Sequence, residues 1–210
     1  MTPPPKPKAP RSPPEPLVAE PDDVIAYTGV LWRVHRTRGE HVLAWNALRT
    51  YGPLPSMRWD PHPGSAPTSH IEGVLYAAAD VATTLAEVYQ ATRIIDTRAG
   101  GPRLTAWDPV RPLRLLDLSG TWLIRNHASA ALLAGPRSTC RRWACAIHTT
   151  WPHLDGLVAP STMTGRPTVV LWTPAADSIP DTPSFSRELA HPLVWSIAQA
   201  GAAEIGYRIR

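Results

Sequence analysis

Gly73-Val74-Leu75-Tyr76-Ala77, followed by Ala78-Ala79-Asp80 and Val81-Ala82-Thr83-Thr84-Leu85-Ala86-Glu87-Val88, is the stretch on which the fold turns. Gly73 to Ala77 is a short apolar run opened by glycine, the pattern of a strand. Asp80 offers a side-chain acceptor to the free N–H groups of a first helical turn, so a helix is predicted to start just after it. From there Val81, Leu85, Val88, Thr92 and Ile95 recur near a 3.6-residue period, which predicts an inward stripe. Glu87 falls about 100° off that stripe, close to Thr83 and Gln90, and so is not a core position. A strand thus runs into a capped helix that carries a carboxylate beside its buried face.

Upstream, Val30, Trp32 and Val34 alternate with Leu31, Arg33 and His35. That period of two predicts a strand from Gly29 to Arg36, with Arg33 and His35 on one face. Glu40 to Thr50 is read as a helix on the rough stripe Val42, Trp45, Ala47 and Leu48. Residues 52–70, rich in Pro, Gly, Ser and His around Arg58-Trp59-Asp60, form a long loop, and long loops in compact domains tend to be functional. Downstream, strands are predicted at Leu113–Leu118, Gly156–Ala159 and Thr168–Thr173. Helices are predicted over Arg125–Ala134 (ending at Gly135-Pro136), from a Ser138 cap to about Thr149, and over Pro192–Ala203. Mixed strands and helices without a regular βαβ series argue an α+β fold. No Gly-x-Gly-x-x-Gly and no Walker motif occurs, which disfavours Rossmann and P-loop nucleotide binding.

A chain of 210 residues with 43% hydrophobic content and nine tryptophans can bury one substantial core. Residues 1–21 are set apart as a proline-rich leader, extended or disordered, with eight prolines in the first sixteen positions. Residues 22–210 form a single domain. No run of apolar residues is long enough to span a membrane and no secretion signal is visible, so a cytoplasmic protein is expected. Cys140 and Cys145 read as reduced thiols. With His148 they lack a fourth ligand and a Cys-x-x-Cys pair, so no metal is expected. The net charge of +4 comes from arginine, since Lys6 and Lys8 are the only lysines. The folded region therefore offers no lysine for a Schiff base or a phosphate loop. The cluster Arg137, Arg141 and Arg142 reads as a solvated helix face rather than a phosphate track, so no direct nucleic-acid contact is expected. The Gly-x-Ser-x-Gly elbow of a serine hydrolase is absent.

Taken singly, a strand arginine, a glutamate beside a helix stripe and a serine after a proline are ordinary residues. Their ordered context is not. Leu31-Trp32-Arg33-Val34, Arg58-Trp59-Asp60, Val74-Leu75-Tyr76-Ala77-Ala78, Ala86-Glu87-Val88, Leu116-Asp117-Leu118, Trp143-Ala144 and Asp155-Gly156-Leu157 with Ser161 four residues on, in this order, resemble the RES domain, named for an Arg, a Glu and a Ser. The resemblance covers roughly residues 28–175. It implies an α+β fold of small mixed and antiparallel sheets with flanking helices, similar to ADP-ribosyltransferase toxins. It also implies an NAD-degrading toxin that cleaves the nicotinamide–ribose bond as a glycohydrolase or phosphorylase. NAD+ is then the substrate, phosphate a candidate co-substrate, and no cofactor is needed. A helix-turn-helix antitoxin of the Xre type is the implied partner, and a homo-oligomer is left open.

The resemblance places catalytic roles on Arg33, Glu87 and Ser161, with Ser138 a rival for the serine. Tyr76 and Arg58 fall on a pocket tyrosine and a loop arginine. Here Met57 stands where a glycine often precedes that arginine, and Ala159-Pro160 precedes Ser161. Trp59 and His35 complete the set expected at the substrate, with Tyr76 or Trp59 expected to stack on a ring. Chemically, a carboxylate stabilises the oxocarbenium character that builds on the ribose, and a guanidinium forks onto phosphate oxygens. Two other readings stay open: an ADP-ribosyltransferase acting on a macromolecule, and a catalytically silent interaction or nucleic-acid-binding module.

Overall fold

Strand β4, Thr68–Ala78, is the spine of the sheet. It appears in a computed structural model that describes residues 7–210. One edge of β4 pairs antiparallel with β9 (Pro167–Trp172) from Val74 to Ala78. Its other edge is shared. β3 (Arg49–Gly52) pairs at Val74 and again near Thr68, while β2 (Leu31–Arg36) meets β4 at one position only, Trp32 opposite Ala78. β2 then leaves β4 and runs beside β6 (Pro102–Trp107) for six pairs, and β10 (Phe185–Glu188) closes that side. On the far side β9 pairs with β8 (Gly156–Pro160), β8 runs parallel to β7 (Leu113–Asp117), and β1 (Val24–Tyr27) forms the edge. The nine-stranded mixed sheet therefore opens along β4 between β2 and β3. A separate two-stranded parallel sheet joins β5 (Ile94–Ile95) to β11 (Arg208–Ile209). This is the expected α+β class, with one large branched sheet carrying most of the strands.

Helices cover the sheet. α1 (Val81–Tyr89) begins at Asp80, whose carboxylate accepts from the Thr83 N–H as the sequence predicts. α1 and α4 (Pro192–Ile205) pack on the β2/β6 side, enclosing Leu85, Leu104, Val194 and Ala198. Each large apolar side chain so buried contributes about 1.5–3 kcal/mol. The two helices approach closely at Gly201, where a Cβ would come within 2.9 Å of Leu85 Cδ1. α2 (Trp122–Arg125) and α3 (Arg137–Thr150) cover a second core built on Trp122, Trp143 and Trp172. A third cluster around Leu31, Trp107 and Leu171 fills the opposite face. Gly156 is required where β8 meets β9: a Cβ there would lie 1.9 Å from the Val170 carbonyl oxygen.

Several expectations are corrected. Residues 40–48 form no helix. Ala47 N–H makes one turn to the Ala44 carbonyl, but the Trp45 carbonyl is taken by Arg33 and residue 49 has already entered β3. The predicted helix 125–134 is broken as well. α2 stops at Arg125, His127 takes a left-handed φ of 63°, and only a single 3-10 turn follows at Ala130–Leu132. The inward stripe of α1 is displaced, for Val88 is 49% exposed and the helix ends at Tyr89, so Thr92 and Ile95 lie beyond it. The strand expected at Gly73–Ala77 is longer, starting at Thr68 inside the segment read as loop. Ser138 does not cap α3; Pro136 occupies that position and Ser138 is exposed. Among the described residues no helix is long and apolar enough to cross a membrane.

Candidate active site

Two of the three candidates meet at the end where β8 and β4 deliver their chains. Ser161 follows directly on β8, and Glu87 lies on α1, which follows β4. The Ser161 hydroxyl donates to Glu87 Oε1 over 2.6 Å. Ser161 is only 5% exposed, and its oxygen also accepts from the Met163 and Thr164 N–H groups at 3.0 and 3.2 Å. With both functions of its hydroxyl used, Ser161 holds one rotamer. The turn that carries it is closed by Ser161 N–H to the Arg166 carbonyl and Gly165 N–H to the Ser161 carbonyl.

Glu87 is oriented from its other side by Gln90, whose amide donates to the Glu87 carbonyl at 2.7 Å and to Oε2 at 3.3 Å. Gln90 is itself held by Arg137, which donates to its Oε1 at 3.0 Å. One turn back on α1, Thr83 sits on the same face as Glu87. Its hydroxyl bonds Asp80 and the Thr164 hydroxyl, both at 2.8 Å, which ties the α1 N-terminus to the Ser161 turn. Arg166 bonds Asp80 and Glu204 and so extends that tie to α4.

Arg33 occupies the first position of β2 beyond its single pairing with β4, at the mouth of the opening. Its Nη1 donates to the Trp45 carbonyl at 2.8 Å, and among the described residues it has no carboxylate partner. Burial, and then the neighbouring Arg49, bring its pKa down to about 10. No hydrogen bond among the described residues links it to Glu87 or Ser161. His35 shares its face, bonds Thr105 Oγ1 at 3.1 Å and lines a depression of about 430 Å³ with Trp45 and Arg103. Burial, then Arg33, lower the His35 pKa to about 4, so the ring is neutral at pH 7.

The other expected substrate contacts are placed differently. Trp59 is 4% exposed and packed in the tryptophan core, so it offers no face to a ligand, and this corrects the stacking role expected of it. Arg58 donates to the Gly135 carbonyl and approaches Cys140 Sγ at 3.4 Å, joining the long loop to the start of α3. Tyr76 has its hydroxyl enclosed near Asp60 and Arg49, and burial pushes its pKa far up. Asp60 is fully buried. Burial alone would raise its pKa, but His62 at 2.6 Å, the Leu54 N–H and Arg49 outweigh that and hold it well below the usual carboxylate range. In the arginine cluster on α3, Arg137 and Arg142 are exposed as a solvated face expects, while Arg141 is half-buried and serves the carbonyls of Leu54, Pro55 and Met57; Arg142 also donates to the Arg11 carbonyl.

Arg49 and Thr164 had no signal that would single them out, because each acts through a partner distant in sequence, and Asp60 and Arg137 stood in noted segments without these roles. Thr83 and Gln90 were legible as neighbours of Glu87 on its helix. Chemically the arrangement presents a carboxylate fixed from two sides and, at the opening in the sheet, a guanidinium without a carboxylate partner among the described residues. Such a set suits an electron-poor sugar carbon joined to an anionic group.

The chain matches the family model of the RES domain over residues 30–194. It is similar to a chain of the crystal structure of the M. tuberculosis MbcT–MbcA toxin–antitoxin complex, with a TM-score of 0.58, 19% sequence identity, and coverage of 84% of this chain and 92% of that one. No curated protein matches it. At such an identity the structural likeness speaks for a shared fold. The family match spans most of the chain and includes Arg33, Glu87 and Ser161, so this protein belongs to the RES domain family.

Proposed function

We propose that the protein is a toxin that degrades NAD+ at the nicotinamide–ribose bond. The observation that carries this reading is the 2.6 Å hydrogen bond from Ser161 to Glu87, which together with Gln90 presents an oriented carboxylate. Nicotinamide leaves as a neutral molecule from a cationic pyridinium, and positive charge develops on the ribose ring. Glu87 stabilises that charge and holds a ribose hydroxyl, while Ser161 and Gln90 keep its carboxylate from turning away. Arg33, without a carboxylate partner among the described residues, receives an anionic oxygen of the diphosphate or of an incoming phosphate. Water then completes a glycohydrolase reaction and phosphate a phosphorylase reaction. The structure of the M. tuberculosis complex supports a further part of the proposal, that a cytoplasmic antitoxin, of the helix-turn-helix type implied by the family, restrains this chain.

The test is to incubate purified protein with NAD+, with and without phosphate, and identify the products. Free nicotinamide with ADP-ribose, or with a phosphorylated ADP-ribose when phosphate is present, is the expected result. Folded protein that releases no nicotinamide overturns the proposal. Labelled ADP-ribose recovered on a macromolecule instead assigns the protein as a transferase.

A further inference from the structure

Residues 8–18 do not hang free of the domain. Ser129 Oγ donates to the Lys8 carbonyl at 2.9 Å, Trp143 Nε1 to the Pro10 carbonyl at 3.0 Å, and Arg142 Nε to the Arg11 carbonyl at 2.6 Å. Asn126 then exchanges two bonds with the backbone of Val18, both 2.9 Å. Ala9 packs against the tryptophan core and Leu17 is buried in it. The segment has neither helix nor strand, as its prolines require.

The chemistry of the two sides is complementary. Pro7, Pro10, Pro13, Pro14 and Pro16 have no N–H, so the leader offers mostly carbonyl acceptors. The domain answers with side-chain donors: an indole, a guanidinium, a hydroxyl and an amide. Extended proline-rich peptides are commonly read this way, by an aromatic donor and by packing rather than by a sheet ladder. Trp107, Trp122, Trp143 and Trp172 are all fully buried, yet only the indole N–H of Trp143 has a partner among the described residues, and that partner is Pro10. The leader precedes residue 30, where the family match begins, so it lies outside the matched RES segment while the donors that hold it lie within that segment.

We propose that Asn126, Ser129, Arg142 and Trp143 form a recognition site for a proline-rich segment without helix or strand, occupied in cis by the chain's own residues 8–18. The site reads mostly main-chain carbonyls, so it depends on the backbone path of the leader more than on its side chains. It is independent of the NAD+ chemistry and stands or falls separately from it.

Trypsin provides the test on the full chain. Lys8–Ala9 and Arg11–Ser12 are cleavable bonds, and a free synthetic peptide of residues 1–21 gives their unprotected rate. Cleavage of the native protein at Arg11 is expected to be at least about tenfold slower than in the peptide. Trp143→Phe with Ser129→Ala removes two donors, and the rate at Arg11 should move toward that of the peptide. Should that variant not fold, a protease site inserted between Ala19 and Glu20 gives a second measurement: after cutting, the leader should co-elute with the domain and a labelled peptide of residues 7–18 should exchange into it. Native cleavage at the peptide's rate, or loss of the cut leader on gel filtration with no exchange, overturns the proposal. Protection that vanishes on dilution together with a dimer also overturns it, because the leader would then be held by a second copy.

Discussion

Ser161 donates its hydroxyl proton to Oε1 of Glu87 over 2.6 Å, joining a turn after β8 to the helix after β4 across 74 positions of chain. A hydrogen bond to a charged acceptor is worth about 1.5–3 kcal/mol. If it orients Glu87 for catalysis, Ser161→Ala should lower kcat for NAD+ cleavage by about one to two powers of ten with the fold intact. Glu87→Gln keeps the shape and removes the charge, and should abolish cleavage. Steady-state kinetics with circular dichroism on each variant checks both, and a Glu87→Gln enzyme of wild-type rate refutes the assignment.

Arg33 is a partly buried cation without a carboxylate partner among the described residues, an arrangement that costs stability unless a ligand supplies the anion. Arg33→Met should therefore leave the melting temperature unchanged or raised while activity is lost. Arg33→Lys keeps the charge without the planar fork and should be badly impaired. Thermal melts beside NAD+ turnover decide this; a Met variant that is both unstable and active would make Arg33 a structural residue.

Arg111 grips buried Asp155 through two bonds of 2.8 Å and also reaches Asp177. Arg111→Ala should destabilise the domain by roughly 2–3 kcal/mol. This is less than for a fully enclosed pair, because Arg111 keeps a third of its side chain exposed and the Arg114 N–H still serves Asp155. The melting temperature should fall by about 5–10 °C, while the folded fraction keeps its activity.

His35 and Asp60 are among the groups whose lowered pKa values make acid destabilising. His35 titrates near 4 when folded against 6.5 unfolded. As pH falls through 6.5 the unfolded chain takes up a proton that the native state refuses. Stability therefore declines from pH 6.5 to about 4 and the effect levels off below that. Asp60 is held below its ordinary value of 3.8, so its contribution is complete above that pH and is lost as the solution becomes more acid. Urea melts across pH 3–8 should show both declines, and His35→Gln should reduce the upper one, to which buried His148 also contributes.

The legible parts of the fold were those where one element's own pattern suffices. The alternation of Trp32, Val34 and Leu31 described β2, and Asp80 marked the first turn of α1, because cap and period are local. The two helices that failed share a cause. Around Trp45 and His127 the backbone is claimed by distant partners or by a left-handed residue, neither of which a hydrophobic stripe reveals. Trp59 looked like a stacking residue in a functional loop because burial cannot be read from a single position. The leader looked free because its composition forbids helix and strand, although a surface of donors accepts it.

By itself the sequence determined the residue types that carry chemistry and their order: an arginine on a strand, a glutamate one helical turn beyond Thr83, a serine after a strand. Only the tertiary structure decided which of them touch. Glu87 and Ser161 meet because β4 and β8 both flank β9 and release their chains at the same end of the sheet. Arg33 stands apart because β2 leaves β4 after one pair. Such meetings depend on strand pairing between remote segments, and the free energy that selects a pairing comes from burying whole faces of the sheet rather than from any one residue's neighbours.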